Sequence, residues 1–244
     1  MLNGDAIVVD SVSKSFGAVA AVKDLSFVVR RGEVFGIVGP NGAGKTTMLR
    51  MIMDIFRPDA GRISVYGQAM DDQIKQRVGY LPEERGIYVK LKVRRALEYF
   101  ARLKGLSRPG AQANAEKWLR RFGIEEFKDR RIETLSKGNQ QKVQLIVAFI
   151  ADPEIVILDE PLAGLDPVNA RLLAAIIREM AAEGKTVIFS SHQMPAVENL
   201  CERLLMVHRG EAALYGPLDE IRRSQTGVEE RLEDIYVRIV EGER

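Results

Sequence analysis

Gly39-Pro40-Asn41-Gly42-Ala43-Gly44-Lys45-Thr46-Thr47 sets two glycines, with four residues between them, directly before a lysine and a hydroxyl residue. This is the phosphate-binding-loop pattern, and its physics is local. Before it, Val34-Phe35-Gly36-Ile37-Val38 is a short apolar run of the kind that makes a buried parallel strand; after it, Met48, Leu49, Met51, Ile52 and Ile55 recur at helical spacing. Strand, glycine loop and helix in that order aim several backbone N–H groups and a positive helix end at one anion. Residues Gly39 to Thr47 are therefore the expected cradle for a nucleotide triphosphate, with Lys45 reaching the terminal phosphates and Thr46 holding Mg²⁺.

The bulk composition narrows the setting. The 244 residues suit one large domain, or one with a small satellite, and 46% hydrophobic with 29% charged residues describes an ordinary globular chain. A net charge of +2 gives no case for a nucleic-acid partner, and the pairs Arg94-Arg95, Arg120-Arg121 and Arg222-Arg223 read as solvated helix faces. One cysteine, Cys201, excludes an internal disulfide and agrees with a reducing compartment; the N-terminus carries no export signal, so cytosolic residence is expected. The most apolar run, Leu145 to Ala151, falls short of the ~20 residues that span a bilayer, so any membrane role is expected to come through a partner.

Upstream of the cradle, Ile7-Val8-Val9, Val12 to Phe16 and Leu25 to Val29 read as short strands of an antiparallel layer. Phe16-Gly17 sets an aromatic beside a flexible residue, where the ring either stacks on a nucleobase or belongs to the core. Downstream come strands at Gly61 to Gly67 and Val78 to Leu81, the second stopped by Pro82. Between Glu83 and Ile150 the period becomes helical: Val93, Leu97, Phe100 and Ala101 form one stripe, and Ala115, Leu119 and Phe122 another after a break at Ser107 to Gly110. Ser136 is the N-cap expected for the last of these helices. Gly138 in its first turn costs stability relative to Ala, which points to a close approach to that backbone.

Ile155-Val156-Ile157-Leu158 returns to buried strand and ends in Asp159-Glu160. Two carboxylates at a strand's carboxyl end suit electrostatics, with Asp159 supporting Mg²⁺ and Glu160 orienting or deprotonating an attacking water. Thr186 to Ser191 is another such strand and delivers His192 at the edge where an open α/β sheet places its ligand. Leu204 to Tyr215 reads as a hairpin turning at Arg209-Gly210, with His208 in a solvated turn. Leu232, Ile235, Tyr236 and Ile239, within Glu229 to Arg244, predict a docked terminal helix.

Together these pieces resemble the ATP-binding subunit of an ABC transporter over nearly the whole chain. Gly39 to Thr46 matches Walker A, Leu135-Ser136-Lys137-Gly138-Asn139 resembles the ABC signature, and Ile155 to Asp159 with Glu160 resembles Walker B and its catalytic glutamate. Ala163 to Asp166 is similar to the D-loop, His192 to the switch histidine, and Phe16 falls where that family stacks adenine. Two departures stand out: Glu83 replaces the usual glutamine after Tyr80-Leu81-Pro82, keeping a ligand for Mg²⁺ but losing an amide donor, and Lys137 and Asn139 replace a glycine and a glutamine. Asn139 keeps an amide of shorter reach. The stretch Glu83-Glu84-Arg85-Gly86 and the tail Leu232 to Tyr236 resemble bacterial exporters of the sodium-efflux or multidrug type, with a shortened segment from Ser224 to Glu233 before that tail.

The resemblance implies an α/β fold: a P-loop NTPase core with a mostly parallel sheet, an N-terminal antiparallel β-layer and an inserted α-helical subdomain. It implies an ATPase domain over 1–225, with core at 1–85 and 151–215 and helices over about 86–150, and a tail at 226–244. It further implies ATP and Mg²⁺ as ligands and a membrane-spanning permease subunit as partner. A second ATPase subunit, identical or paralogous, is implied too, with residence on the inner face of the membrane. The residues give their own reason for a pair. Helix starts at Gly44-Lys45 and at Ser136-Gly138 are both anion sites in separate subdomains, and one phosphate group cannot fill both within a monomer. The family answers with a head-to-tail dimer in which Ser136, Gly138, Asn139 and Asp166 face the nucleotide on the other subunit's loop. Two competing readings are a soluble ABC ATPase serving cluster assembly, and a small-molecule kinase, which leaves the signature segment without a purpose.

Overall fold

A computed structural model describes residues 4–84, 86, 88–223 and 230–242; Arg85, Ser224, Glu229 and Arg244 lie outside the described residues. The chain falls into two compact units, one drawn from Met1–Met70 and Ile177–Arg244, the other from Asp71–Ile176.

The first unit opens with β1 (Asp5–Phe16), β2 (Val19–Arg30), β3 (Val34–Val38), α1 (Lys45–Ile52) and β4 (Ala60–Val65). A three-stranded antiparallel layer runs in the order β2-β1-β4. The alternation predicts two strands before Gly17; they are one, interrupted at Ser11, where φ is 51° and the N–H goes to Ser26 Oγ at 2.8 Å. The register shifts between Val9 and Val12, so both are buried although an odd number of steps separates them. A bulge of this kind resets the period of two and makes one strand read as two.

The second unit carries α2 (Asp72–Arg77), β5 (Val78–Leu81), α3 (Val93–Leu103), α4 (Arg108–Arg121), α5 (Lys137–Phe149), β6 (Ile155–Leu158) and the first part of α6 (Pro167–Ala182). β5 and β6 are parallel neighbours. Trp118 stacks obliquely on Phe149 at 5.2 Å, joining α4 to α5. Lys104 Nζ donates to Lys75 O and Val78 O, a cation on the carbonyl end of α2. Burial lowers the pKa of that ammonium. The break expected at Ser107 to Gly110 is a helix start instead. Ser107 Oγ accepts from Gly110 N, and Pro109 sits in the first turn, where its missing N–H costs nothing.

The chain then completes the first unit with β7 (Thr186–Ser191), α7 (Met194–Leu200), β8 (Arg203–His208), β9 (Glu211–Pro217), α8 (Leu218–Arg223) and α9 (Leu232–Gly242). Its sheet runs β7-β3-β8-β9, parallel except for β9. β3 is buried along its whole length, as a strand covered on both faces must be. Arg203 Nη1 meets buried Glu33 at 3.2 Å and Val28 O at 3.1 Å, tying β8 to the strands beside it; burial raises the Glu33 pKa against that pairing. His208 does not sit in a solvated turn. Its ring lies 6.3 Å from that of Tyr236 on α9, and both ring nitrogens are shielded from solvent. The terminal helix docks through Leu232 and Ile235, and Glu198 on α7 accepts from Leu232 N at 2.6 Å. Among the described residues no helix is long and apolar enough to cross a membrane.

Candidate nucleotide site

In the first unit the cradle is a loop between the end of β3 and the start of α1. Gly44 has φ of 108°, and a Cβ there would come within 2.4 Å of Ala21 O; at Gly39 a Cβ would come within 2.2 Å of Val207 O. Glycine is thus required at both ends of the loop, by close backbone approach and, at Gly44, by backbone conformation. Between them Ala43 N donates to Pro40 O at 3.2 Å, and Gly210 N, from the β8–β9 turn, donates to Ala43 O at 3.1 Å. Lys45 is 5% exposed, with its ammonium donating to Gly39 O and Pro40 O at 2.9 and 3.0 Å. Asn41 and Gly42 are exposed at the tip, Thr46 and Thr47 half-buried in the first turn of α1, and that turn carries no acidic residue. A helix start of this composition concentrates positive potential where the loop opens.

The same unit sets His192 next to the loop and holds Phe16 at the end of β1. Gly39 N donates to Ser191 O at 3.3 Å, so the end of β7 lies against the start of the cradle, and His192 is the next residue, exposed. Phe16, at the end of β1, is 49% exposed, its ring edge-on to Phe56 at 5.4 Å. A half-exposed aromatic packed on one side only is not part of the core.

The second unit places the carboxylates and the signature segment. Asp159 follows β6 and is 1% exposed, its N–H on Leu81 O at 2.9 Å. Glu160 comes next with φ of 49°, half-buried, one carboxylate oxygen shielded from solvent. Glu83 is exposed beyond β5. Ser136 Oγ accepts from Asn139 N at 3.3 Å, the N-cap expected of α5, and no acidic residue occupies that first turn. A Cβ on Gly138 would meet nothing within 4 Å, so packing within this chain does not call for glycine there. Asp166 caps α6, accepting from Val168 N and Asn169 N at 3.0 Å each; the Asn169 N–H chiefly holds its pKa below the usual 3.8.

The residue types suit Mg²⁺: the buried carboxylate of Asp159 in one unit and the hydroxyls of Thr46 and Thr47 in the other are hard oxygen donors. Among the described residues no group of three or more His, Cys, Asp or Glu could hold a metal by protein ligands alone.

Residues 22–163 match the family model described as ABC transporter. The chain belongs to the ABC transporter family, as an ATP-binding cassette. Relatives match most of its length. An uncharacterized ABC transporter ATP-binding protein of Bacillus subtilis is 45% identical across 89% of this chain and 73% of the relative. A Nod factor export ATP-binding protein of Burkholderia lata is 36% identical across 89% and 72%. A solved ATP binding subunit of an ABC transporter superposes with a TM-score of 0.89 at 31% identity, covering 96% of this chain and 99% of the other. The α/β P-loop NTPase fold of the cassette is therefore established, and membership of the family implies ATP hydrolysis.

Three residues of the cassette that bear on the site have no motif to announce them. Phe56 backs Phe16, and Lys14 Nζ lies 5.6 Å from the Phe16 ring centroid while pairing with Asp59. Gln141, buried on α5, donates from Nε2 to Pro161 O and Ala163 O at 3.1 and 2.9 Å. Its only signal in the sequence is an amide on a helix whose neighbours at i+4 and i+5 are apolar, and that pattern does not say where the amide points.

Proposed function

We propose that this cassette is the motor of an exporter: two copies, or one copy and a paralogue, close around two Mg-ATP and drive a separate membrane-spanning subunit. The observation that carries the reading is the pair of helix starts free of acidic side chains in different compact units. One is ringed by a loop of its own, and the other is capped by Ser136, with open space at Gly138. A glycine that nothing in its own chain crowds fits an approach from a second molecule. Support for the export direction is the likeness to a Nod factor export ATP-binding protein.

In this reading the Gly39–Thr47 loop binds the triphosphate through backbone N–H groups, Lys45 contacts its terminal oxygens, and Phe16 stacks on the adenine. Bound Mg²⁺ would neutralise charge on the phosphate oxygens, with Thr46, Asp159 and Glu83 as the residues that hold it. Glu160 orients the attacking water and accepts its proton; His192 donates to the terminal phosphate. Ser136, Gly138, Asn139 and Asp166 face the nucleotide on the other subunit, and hydrolysis removes the contact that joins the halves. Residues 1–225 form the ATPase domain, core at 1–85 and 151–215 and helices over about 86–150, and the helices pass the closure to the membrane subunit. The tail at 226–244 is a short helical addition to that domain, and the assembly sits on the cytoplasmic face of the membrane.

The test is Glu160→Gln. It is expected to keep ATP affinity, lose turnover and elute as an ATP-dependent dimer on gel filtration. Turnover at the parental rate would remove Glu160 from catalysis, and a monomer at saturating Mg-ATP would remove the dimer.

A further inference from the structure

Glu160 occupies a backbone conformation that its own sequence opposes. Its φ of 49° lies in the left-handed region, where a residue with a Cβ is crowded by the following carbonyl. The residue after it is Pro161, whose ring further restricts the residue before it and favours extended backbone there. Such a conformation persists only where the surroundings over-determine it. Within the loop itself Ala163 N reaches Glu160 O at 3.2 Å, a marginal contact.

A further restraint on the loop comes from α5. Gln141 Nε2 donates to Pro161 O and to Ala163 O, two carbonyls of the three residues that follow Glu160. Those acceptors fix which way the amide faces, because the opposite orientation would set Oε1 against two carbonyl oxygens. Oε1 is left buried with no donor, beside Gly164, where a Cβ would come within 3.8 Å of it. A buried acceptor without a donor is unfavourable, and an apolar residue of like size would pack there without it. Packing therefore does not account for an amide at this position; the placement of the two carbonyls does.

Ser136 caps the same helix five positions earlier. Through α5, a rigid element, the hydroxyl at the helix start and the clamp on the Glu160 loop are held in one register. Resting on the reading of Glu160 and Ser136 above, we infer that Gln141 is a positioning residue for hydrolysis. It locks the left-handed turn that aims the Glu160 carboxylate, and it fixes that aim relative to the signature end of α5.

The experiment measures steady-state ATP turnover, and equilibrium binding of a fluorescent ATP analogue, for the full chain and its variants. Gln141→Met keeps the length and loses both donors; Gln141→Glu keeps the shape and sets a carboxylate against the two carbonyls. Each is expected to lower kcat on the order of 10- to 100-fold with affinity and KM unchanged, the size of effect that a misplaced catalytic group produces. Placed in a Glu160→Gln background, Gln141→Met is expected to change the residual turnover no further, because its effect passes through Glu160. A parental kcat for Gln141→Met overturns the inference. So does an equal fractional loss in the Glu160→Gln background, or a loss of affinity matching the loss of kcat, since either assigns the effect to general loosening. Should Gln141→Glu fail to fold, Gln141→Met, neutral and of similar volume, decides alone. If Glu160→Gln itself keeps parental turnover, the catalytic reading has failed, a result visible without any change at Gln141.

Discussion

The starts of α1 and α5 are both helix N-termini free of acidic side chains, and they are built in opposite ways. At α1 the ends of the loop are fixed inside the chain: Gly44 is pressed against Ala21 O, Lys45 is buried on the loop's own carbonyls, and the β8–β9 turn holds Ala43. At α5 the cap is a single exposed serine, and a Cβ on the glycine behind it would meet nothing within 4 Å among the described residues. One is walled in by its own chain; the other stands open. The difference teaches that two similar electrostatic ends acquire different roles from packing, since the field of a helix start is common to both and the walls are not.

Gly44→Ala is the harshest way to break the contrast. A methyl at 2.4 Å from a carbonyl oxygen, on a backbone with φ of 108°, is expected to cost about 3 kcal/mol and to abolish nucleotide binding. Urea denaturation with a fluorescent ATP analogue reads both, and unimpaired binding would mean that the loop is not packed as described. Next in size, Lys45→Met is expected to weaken Mg-ATP binding about 10- to 100-fold, the value of charge-assisted hydrogen bonds, with little change in the melting temperature. Isothermal titration measures it.

Gly138→Ala is predicted to have the opposite sign to Gly44→Ala on stability. With open space around it, the alanine is expected to stabilise α5 by about 0.5–1 kcal/mol, raising the melting temperature by roughly 2–4 °C. Turnover is nevertheless expected to fall at unchanged monomer affinity; full turnover would show that nothing needs to approach that turn. The smallest effect is at α6, where the cap is titratable. The Asp166 carboxyl is held below 3.8, so it contributes stability above that pH that is lost as the pH falls through its folded-state value. Asp166→Asn, a comparable cap without a charge, is expected to remove that part of the acid slope in urea midpoints measured from about pH 5 downward. An unchanged slope would place the titration elsewhere.

Much of the fold could be read in one dimension. The strand before Gly39, the helix after Gly44, the all-apolar Ile155 to Leu158 and the capped helix from Ser136 each carry a strong local period or a cap with a mechanism. The errors share a cause. Ser11 hid a bulge inside one strand, Ser107 to Gly110 read as a break rather than a cap with proline in the first turn, and α2, α7 and α8 are six or seven residues long, too short for a period to emerge. His208 lost its solvated surroundings to Tyr236, 28 positions away in sequence, a pairing no window contains.

The sequence by itself determined the chemistry of each contributor: glycines where backbone must carry an anion, a lysine and hydroxyls behind them, carboxylates at a strand end, a serine at a helix start. These depend on residues within one turn or one loop of each other, where spacing and geometry are the same thing. Only the tertiary structure decided which of them are enclosed, that Gly44 is pinned while Gly138 is open, that Phe16 is held from behind by Phe56, and that Gln141 grips the turn after Glu160. Those facts arise where distant segments meet, and there the packing of neighbours, not local propensity, sets the conformation.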